Sequence, residues 1–184
     1  MTANSPRCTI IIMFYLIRHG EADYSEMGTK IYQGHGLNLV PLTERGILQI
    51  RETAKDARLK NAGIIVSSPF TRAVQTAAIL SKKLQIDIIV ETDIHEWQAD
   101  KNFIFLQGEA AERQFKEYNL YNGEYPKGTE LLFETNTMLR NRLHKVLEKY
   151  KSFKNVIVVC HGTLIHSVFQ DKWFENGEIG EYDF

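Results

Sequence analysis

Four short apolar runs lie along the chain, at residues 10–17, 64–66, 86–90 and 155–160, and they consist largely of residues that favour strands. Their apolar character is continuous rather than alternating, which is typical of strands covered on both faces. The stretches between them are long enough for helical crossovers, so parallel pairing is favoured. We therefore predict an α/β fold, a single three-layer domain with a mainly parallel sheet flanked by helices.

The segments between the runs carry helix signals. Thr43 is positioned to cap a helix over residues 42–59, and Pro69 stands near the first turn of a helix over residues 70–80, where a missing backbone N–H has no cost. Further predicted elements are helices at 109–118 and 130–150, a helix from about residue 163, and an edge strand at 178–183. Residues 92–129 have a mixed pattern, and we interpret them as a lid inserted into the domain.

Composition limits the kind of protein. The chain of 184 residues is 43% apolar, which is enough for one core, so residues 1–184 are treated as one domain. Residues 1–12 form a possible N-terminal extension, because Met13 would also serve as a chain start. The 22 basic and 23 acidic residues give a formal net charge of −1. This balance gives no electrostatic reason to expect nucleic acid or an anionic membrane as a partner.

The cysteines and the first apolar run bear on location. Cys8 and Cys160 are too few for a disulfide framework or a four-thiolate zinc site. The run at residues 8–17 is too short to span a bilayer, and no small-residue cleavage site follows it. We therefore predict a cytoplasmic protein, and the sequence leaves open whether it is a monomer or a homodimer.

Ionisable residues cluster where the predicted strands end. Arg18 and His19 end the first strand, Arg72 follows the second, Glu96 follows the third and His161 ends the fourth. Ligands of open α/β sheets bind beyond the carboxyl ends of the strands, so these side chains are expected to meet at one rim. Both histidines are followed by a glycine, which lets the backbone turn sharply and a ligand approach closely.

These side chains are suited to phosphoryl transfer. Two guanidiniums provide rigid forks that match phosphate oxygens. A histidine flanked by arginines stays neutral more easily, which leaves a ring nitrogen free to act as a nucleophile. A second histidine can donate a hydrogen bond to the transferred group, and a carboxyl group can protonate the departing oxygen. A helix that begins near Thr163 can add its positive end.

Each residue also has a structural interpretation, because a lone His-Gly pair after a strand is more often a turn. Cys160 beside His161 is interpreted as a buried thiol, since adjacent strand residues point to opposite faces. The other histidines are interpreted as structural or surface residues: His35, His95, His144 and His166. It is the combination of arginine and histidine at several strand ends that favours a catalytic site.

The sequence Leu16-Ile17-Arg18-His19-Gly20-Glu21 resembles the signature of the histidine phosphatase superfamily, the phosphoglycerate-mutase-like phosphatases. The resemblance extends over most of the chain, from Phe14 to about Phe169. Three later blocks resemble those of the family in the same order: Gln33-Gly34 with Pro41-Leu42-Thr43, Ser67-Ser68-Pro69 through Arg72 to Thr76, and Val158 to Gly162.

The resemblance implies roles for the matching residues. His19 would be the nucleophile that forms a phosphohistidine, and Glu96 the proton donor that later activates water. No metal and no cofactor are implied. The phosphoryl group would be bound by Arg18, Arg72 and His161. The covering loop and the pocket wall would include Gln33, Gly34 and Thr163.

The implied activity is that of a metal-independent histidine acid-type phosphatase, a phosphomonoester hydrolase that acts on a small phosphorylated metabolite through a phosphohistidine. The chain length favours hydrolysis over mutase activity. Alternatives are phosphoglycerate mutase-type phosphoryl transfer, a phosphohistidine protein phosphatase and a non-catalytic phospho-ligand binding module. A metal-dependent hydrolase would use His19, His35, His95 and His161.

Two further questions concern the insertion. Residues 97–133 are rich in aromatic side chains. If they form a lid, they would favour a monophosphate with an apolar or aromatic body. They would equally well form a second small core. Asp100, in the same segment, is the second candidate for the proton donor. Glu21 and Asp23 rank below Asp100, since Glu21 directly follows His19-Gly20 and is expected to orient the loop or cap the next segment, and the pattern does not fix the direction of Asp23 on the same loop.

Overall fold

The computed structural model describes residues 13–27, 29 and 32–183, and the predicted extension at residues 1–12 lies outside them. The strands are β1 (Met13–Arg18), β2 (Ile64–Ser67), β3 (Ile88–Val90), β4 (Asn155–Cys160) and β5 (Ile179–Tyr182). They form one sheet in the order β3-β2-β4-β1-β5. All neighbours pair in parallel except β5, which runs antiparallel to β1 at the edge. The predicted mainly parallel sheet and its edge strand are confirmed.

Helices cover both faces of this sheet. They are α1 (Glu44–Thr53), α2 (Thr71–Leu84), α3 (Glu109–Leu120), α4 (Asn136–Glu148) and α5 (Gly162–His166). Leu16 of β1 packs in one core with residues of α4 and α5, whereas its neighbour Ile17 packs in a second core with residues of α1 and α2. The three-layer α/β prediction is therefore confirmed. None of the helices in the described part of the chain is long and apolar enough to cross a membrane.

The first predicted helix is shorter than its apolar periodicity indicated. Thr43 caps α1 as predicted, since its hydroxyl accepts the N–H of Gly46 at 2.9 Å. The helix ends at Thr53, and a separate 3-10 turn at Ala57–Asn61 follows. Asp56 starts this turn by accepting the N–H of Arg58 at 2.9 Å. The periodicity persists across the break because the turn still buries Leu59 in the core.

The helix predicted at 130–150 begins only at Asn136, where Thr135 caps it by accepting the N–H of Met138 at 3.2 Å. The residues before it pair instead with the segment that follows β3. The N–H of Glu134 donates to the carbonyl of Gln98 at 3.0 Å, and the N–H of Lys101 donates to the carbonyl of Leu132 at 2.8 Å. Backbone pairing between distant segments replaces the first helical turn.

The sheet register sets the geometry of the rim. Arg18 lies opposite Cys160 in the parallel pair β1 and β4, and the N–H of His19 donates to the carbonyl of Cys160 at 3.1 Å. His19 and His161 therefore leave adjacent central strands at the same height, as predicted. Arg72 lies in the first turn of α2, directly after β2.

Candidate active site

Two buried imidazoles form the centre of the candidate site. The rings of His19 and His161 lie edge to face, with centroids 5.1 Å apart and an interplanar angle of 65°. His19 is 6% exposed and His161 is fully buried. The separation is short enough for one phosphoryl group to contact both rings, which the sequence predicted.

The hydrogen bonds of His19 fix which nitrogen carries its proton. Nδ1 lies 2.7 Å from the carbonyl oxygen of Gly20, which can only accept, so the proton is assigned to Nδ1. Nε2 accepts from Nε of Arg72 at 3.0 Å. Burial, the Arg72 guanidinium and the charge of Arg18 lower the pKa of His19 from 6.5 to about 3. Nε2 is therefore an unprotonated nitrogen, and its lone pair points at the guanidinium of Arg72, a group that commonly binds phosphate.

Ser68 is the hydrogen-bond partner of the second imidazole, His161. Its hydroxyl oxygen accepts the N–H of Phe70 at 3.4 Å and lies 2.7 Å from Nε2 of His161. We assign the Ser68 hydroxyl as the donor to Nε2, and in that tautomer of His161 the ring proton is on Nδ1. Nδ1 is buried, and within the described part of the protein it has no hydrogen-bond partner. Such a donor beside His19 is suited to an anionic ligand.

The charges of both predicted arginines, Arg18 and Arg72, act on His19. Arg72 is buried, with its guanidinium carbon 5.0 Å from the Phe70 ring centroid. Nη1 of Arg18 donates to the carbonyl of Phe174 at 2.6 Å, and its guanidinium carbon lies 5.4 Å from the Trp173 ring. A Cβ at Gly162 would lie 3.3 Å from Nε of Arg18, so the glycine makes room for this guanidinium. Arg18 is thus held by an aromatic ring and a backbone carbonyl, and Arg72 by the Phe70 ring and the His19 imidazole.

Glu96 reaches the site from the loop after β3. Its carboxylate accepts the N–H of Trp97 at 2.8 Å and the N–H of Thr163, the second residue of α5, at 3.4 Å. Thr163 therefore contacts Glu96 through its backbone, whereas the sequence had it lining the pocket. These two N–H groups hold the carboxylate in position at the rim.

The other acidic candidates are engaged elsewhere. The buried carboxylate of Asp100 accepts both the backbone and the side-chain N–H of Asn102, at 2.8 and 3.0 Å. Glu21 accepts from the hydroxyl of Thr43 at 3.3 Å, and Asp23 accepts the N–H of Ser25 at 2.9 Å. Of the four candidates, Glu96 is the one that lines the cavity at the rim.

That cavity has a volume of about 250 Å³. Its walls come from the loop after β3, from the insertion and from a 3-10 helix at Gly34–Leu39. The side chain of Gln33 is exposed, and Gly34, with φ of 58°, faces Phe105 at van der Waals distance. The lining includes Phe70, Arg72, Glu96, Trp97, Ile104 and Phe105.

The aromatic residues of the insertion divide into two groups. Phe103 stacks on His35 with centroids 5.4 Å apart and meets His95 edge to face at 5.1 Å, close to the cavity. The second group packs ring against ring as a small core: Trp97, Phe115, Tyr118, Tyr125 and Phe133. Both interpretations of this segment therefore fit some of its aromatic residues, and Trp97 belongs to this core and also lines the cavity.

The alternative metal centre would need His35 and His95 to approach one ion, whereas the ring of Phe103 stacks on His35 and meets His95 edge to face. Among the residues that the structure describes, no group of three or more histidine, cysteine or acidic side chains is placed to hold a metal ion.

Several contacts of the site were not predicted from the sequence. The hydroxyl of Thr76 accepts the N–H of Gly20 at 3.1 Å, and the amide of Asn176 donates to the carbonyl of His19 at 2.8 Å. Ser68 and Thr76 belong to the sequence block around Arg72, so a signal for them existed. Asn176 lies in the C-terminal tail and had none.

The buried imidazoles should make the protein less stable as the pH falls from 7 to 5. Burial lowers the pKa of His19, His95 and His161, whereas their unfolded values lie near 6.5. Below that pH the unfolded chain binds protons that the folded chain excludes, so stability that is present above about pH 6.5 is lost on acidification. Urea midpoints at pH 7, 6 and 5 should decline less steeply for His161→Gln. Identical declines would contradict the assignment.

Comparison with known proteins gives a consistent result. A family model, the histidine phosphatase superfamily (branch 1), matches residues 14–174. The uncharacterized phosphatase PhoE of Bacillus subtilis (strain 168) is 31% identical over 156 residues, which cover 85% of this chain and 75% of that protein. The fold is also that of solved structures. The mycobacterial glucosyl-3-phosphoglycerate phosphatase Rv2419c has a TM-score of 0.68 at 20% identity, covering 92% of this chain and 89% of that one.

The phosphoglycerate mutase of Bacillus anthracis strain Sterne has a TM-score of 0.65 at 19% identity, covering 95% of this chain and 88% of that one. At sequence identities of 19–20%, these two solved structures show a shared fold and nothing more. The family match spans most of the chain and includes both histidines and both arginines of the rim. The chain therefore belongs to the histidine phosphatase superfamily.

Proposed function

We propose that this protein is a metal-independent phosphatase that hydrolyses a small phosphomonoester through a phosphohistidine at His19. The observation that carries the proposal is the locked tautomer of His19. Nδ1 is held by the carbonyl of Gly20 at 2.7 Å, and the unprotonated Nε2 faces Arg72 at 3.0 Å. A nitrogen nucleophile is thus already oriented beside a guanidinium and a second imidazole.

In the first step Nε2 of His19 attacks phosphorus, the N–P bond forms and the P–O bond to the alcohol breaks. Arg72 moves from Nε2 to a phosphoryl oxygen, where Arg18 and the Nδ1 proton of His161 also bind. Glu96 in its protonated form gives its proton to the departing oxygen. The resulting carboxylate keeps its contacts with the N–H groups of Trp97 and Thr163.

In the second step the same carboxylate of Glu96 takes a proton from water. The oxygen of that water attacks phosphorus, the N–P bond breaks, and inorganic phosphate leaves with His19 restored. Glu96 therefore acts as acid and then as base at one position, as microscopic reversibility requires for two related displacements.

The cavity supports hydrolysis rather than mutase activity. Its two charged lining residues, Arg72 and Glu96, are both assigned to the reacting group, and the remaining walls are largely apolar. A substrate that carries a second anion would find no cation among these lining residues. We also propose that residues 92–129 act as a lid, because Ile104 and Phe105 form part of the wall.

The experiment that tests this function is a panel of phosphomonoesters offered to the purified protein with and without a chelator. Turnover should survive the chelator, and alcohols with an apolar or aromatic body should be preferred. Activity that vanishes with chelator and returns with zinc would support a metal hydrolase. Tight phosphate binding without turnover would support a binding module, and activity confined to phosphorylated protein would support a protein phosphatase.

Replacement of Glu96 by glutamine should separate substrates by their leaving groups. A basic alkoxide needs a proton as the P–O bond breaks, whereas 4-nitrophenolate needs little. The ratio of kcat/KM for 4-nitrophenyl phosphate to that for an alkyl phosphate should therefore rise, by roughly 10²–10⁴-fold. Asp100→Asn is the matched control and should leave the ratio unchanged. If the control shows the rise and Glu96→Gln does not, the proton donor is Asp100.

The cytoplasmic location and the choice between monomer and homodimer stay predictions. The thiol of Cys160 is fully buried in the core beneath the site, and burial raises its pKa to about 12, so it is poorly suited to act as a nucleophile. Size-exclusion chromatography with light scattering would settle the oligomeric state.

A further inference from the structure

A buried ion pair holds the loop that carries Glu96. The pair joins Arg142 of α4 to Glu134, and the side chains of these residues are only 12% and 10% exposed. We propose that Arg142, with Glu134 as its partner, is a positioning residue that sets where the carboxyl group of Glu96 stands in the site. The inference rests on the role of Glu96 in the proposed function.

All five N–H groups of Arg142 are used in this arrangement. Nε and Nη2 donate to the two carboxylate oxygens of Glu134 at 3.0 and 3.1 Å, which makes the pair bidentate. Nη1 donates to the carbonyls of Asp93 and His95 at 2.8 and 2.7 Å. Nη2 also donates to the carbonyl of Glu96 itself, at 3.4 Å. One guanidinium therefore binds three carbonyl groups in the four residues that end at Glu96.

Glu134 holds the other side of the same loop. Its carboxylate accepts the N–H of Gln98 at 2.8 Å, and its own N–H donates to the carbonyl of Gln98 at 3.0 Å. Its carbonyl accepts the indole N–H of Trp97 at 2.8 Å. The residues before and after Glu96 are thus fixed by the two members of one ion pair.

The loop depends on this pair because its regular structure ends early. A 3-10 turn at Thr92–Ile94 follows β3, and residues 95–98 belong to no helix or strand. Among the described residues, the hydrogen bonds to the carboxylate of Glu96 come from the N–H groups of Trp97 and Thr163, at 2.8 and 3.4 Å. A shift of the backbone at Glu96 would move its proton away from the departing oxygen, and misplacements of about 1 Å are enough to slow such steps strongly.

Lysine cannot replace Arg142 in this role. Lysine keeps the positive charge at this position. The pKa of His161 is lowered by burial first, then by Arg72 and His19, and then by the charge of Arg142. Lysine offers three donors from a single atom, which cannot span Glu134 and the loop carbonyls together. Arg142→Lys therefore removes the hydrogen bonds that shape the loop while it keeps the positive charge.

The experiment compares an alkyl phosphate with 4-nitrophenyl phosphate for Arg142→Lys. The ratio of kcat/KM for the nitrophenyl ester to that for the alkyl ester should rise about 10- to 100-fold, because only the alkyl ester depends on a placed proton donor. Arg140→Lys is the matched control: Arg140 lies on the same helix but pairs with Glu124 at 3.2 Å and with the carbonyl of Ser167 at 3.0 Å. Its ratio should stay at the wild-type value.

The ratio does not depend on the folded fraction, since both substrates are measured on one preparation. A purely structural role of Arg142 would lower both activities together and leave the ratio unchanged, which would overturn the inference. Arg142→Lys should also raise the ratio no further in a Glu96→Gln background, and an independent rise there would likewise overturn it. If Glu96→Gln alone leaves the ratio unchanged, the assignment of the proton donor fails instead.

Discussion

Replacement of His19 by alanine should remove essentially all phosphatase turnover, at least about 10⁴-fold in kcat. The covalent step needs an unprotonated nitrogen directed at phosphorus, and Nε2 of His19 is such a nitrogen, 3.0 Å from Arg72. His161 cannot take over, because its Nε2 is occupied by Ser68 at 2.7 Å and the ring is fully buried. Steady-state rates with 4-nitrophenyl phosphate over a range of enzyme concentrations measure the loss.

The intermediate can be observed directly. Brief incubation with a ³²P-labelled substrate and quenching in base should label the wild-type chain with a base-stable, acid-labile phosphoryl group, and the label should be absent from His19→Ala. His144→Ala is the matched control, since this imidazole lies 2.6 Å from the hydroxyl of Tyr182 and outside the site. Labelling that persists without His19 would move the nucleophile to another residue.

The central strands were predictable because they are buried on both faces, whereas β3, at the edge of the sheet, exposes Ile89 and Val90. Each residue of β4 after Asn155 is buried, so the apolar run in the sequence coincides with the strand. The helix boundaries were less predictable, since they depend on competing contacts. Asp56 begins a new turn through Arg58, and the backbone of Glu134 pairs with Gln98 rather than with its own helix. The hydrophobic periodicity of the sequence indicates neither of these two helix boundaries.

The centre of the candidate site was predictable for a different reason. His19 and His161 directly follow adjacent parallel strands, and the topology of such sheets brings these positions together. The contacts of Glu134, Arg142 and Asn176 were not predictable, because they join residues that are far apart in the chain and belong to no local pattern. The sequence therefore indicated which residues meet at the rim, while the structure was needed to identify the residues that orient them.

Replacement of Arg72 by lysine should reduce transition-state stabilisation by about 2–4 kcal/mol, which corresponds to about 30- to 1,000-fold in kcat/KM. Arg72 donates to Nε2 of His19 through Nε and also lines the cavity, so its planar fork can bind two phosphoryl oxygens as the phosphorus approaches the ring. An ammonium group is a point charge and contacts one oxygen at a time.

The lysine variant also separates geometry from protonation. The positive charge of Arg72, second only to burial, lowers the pKa of His19 to about 3, and lysine retains a positive charge at this position. Nε2 should stay unprotonated, so the acid limb of the pH profile should not move while kcat/KM falls at every pH. Arg51→Lys, on the exposed face of α1, is the matched control and should behave as wild type. Near-normal kinetics for Arg72→Lys would mean that Arg72 lies outside the phosphoryl-binding site, because an ammonium group cannot reproduce the two parallel hydrogen bonds of a guanidinium fork.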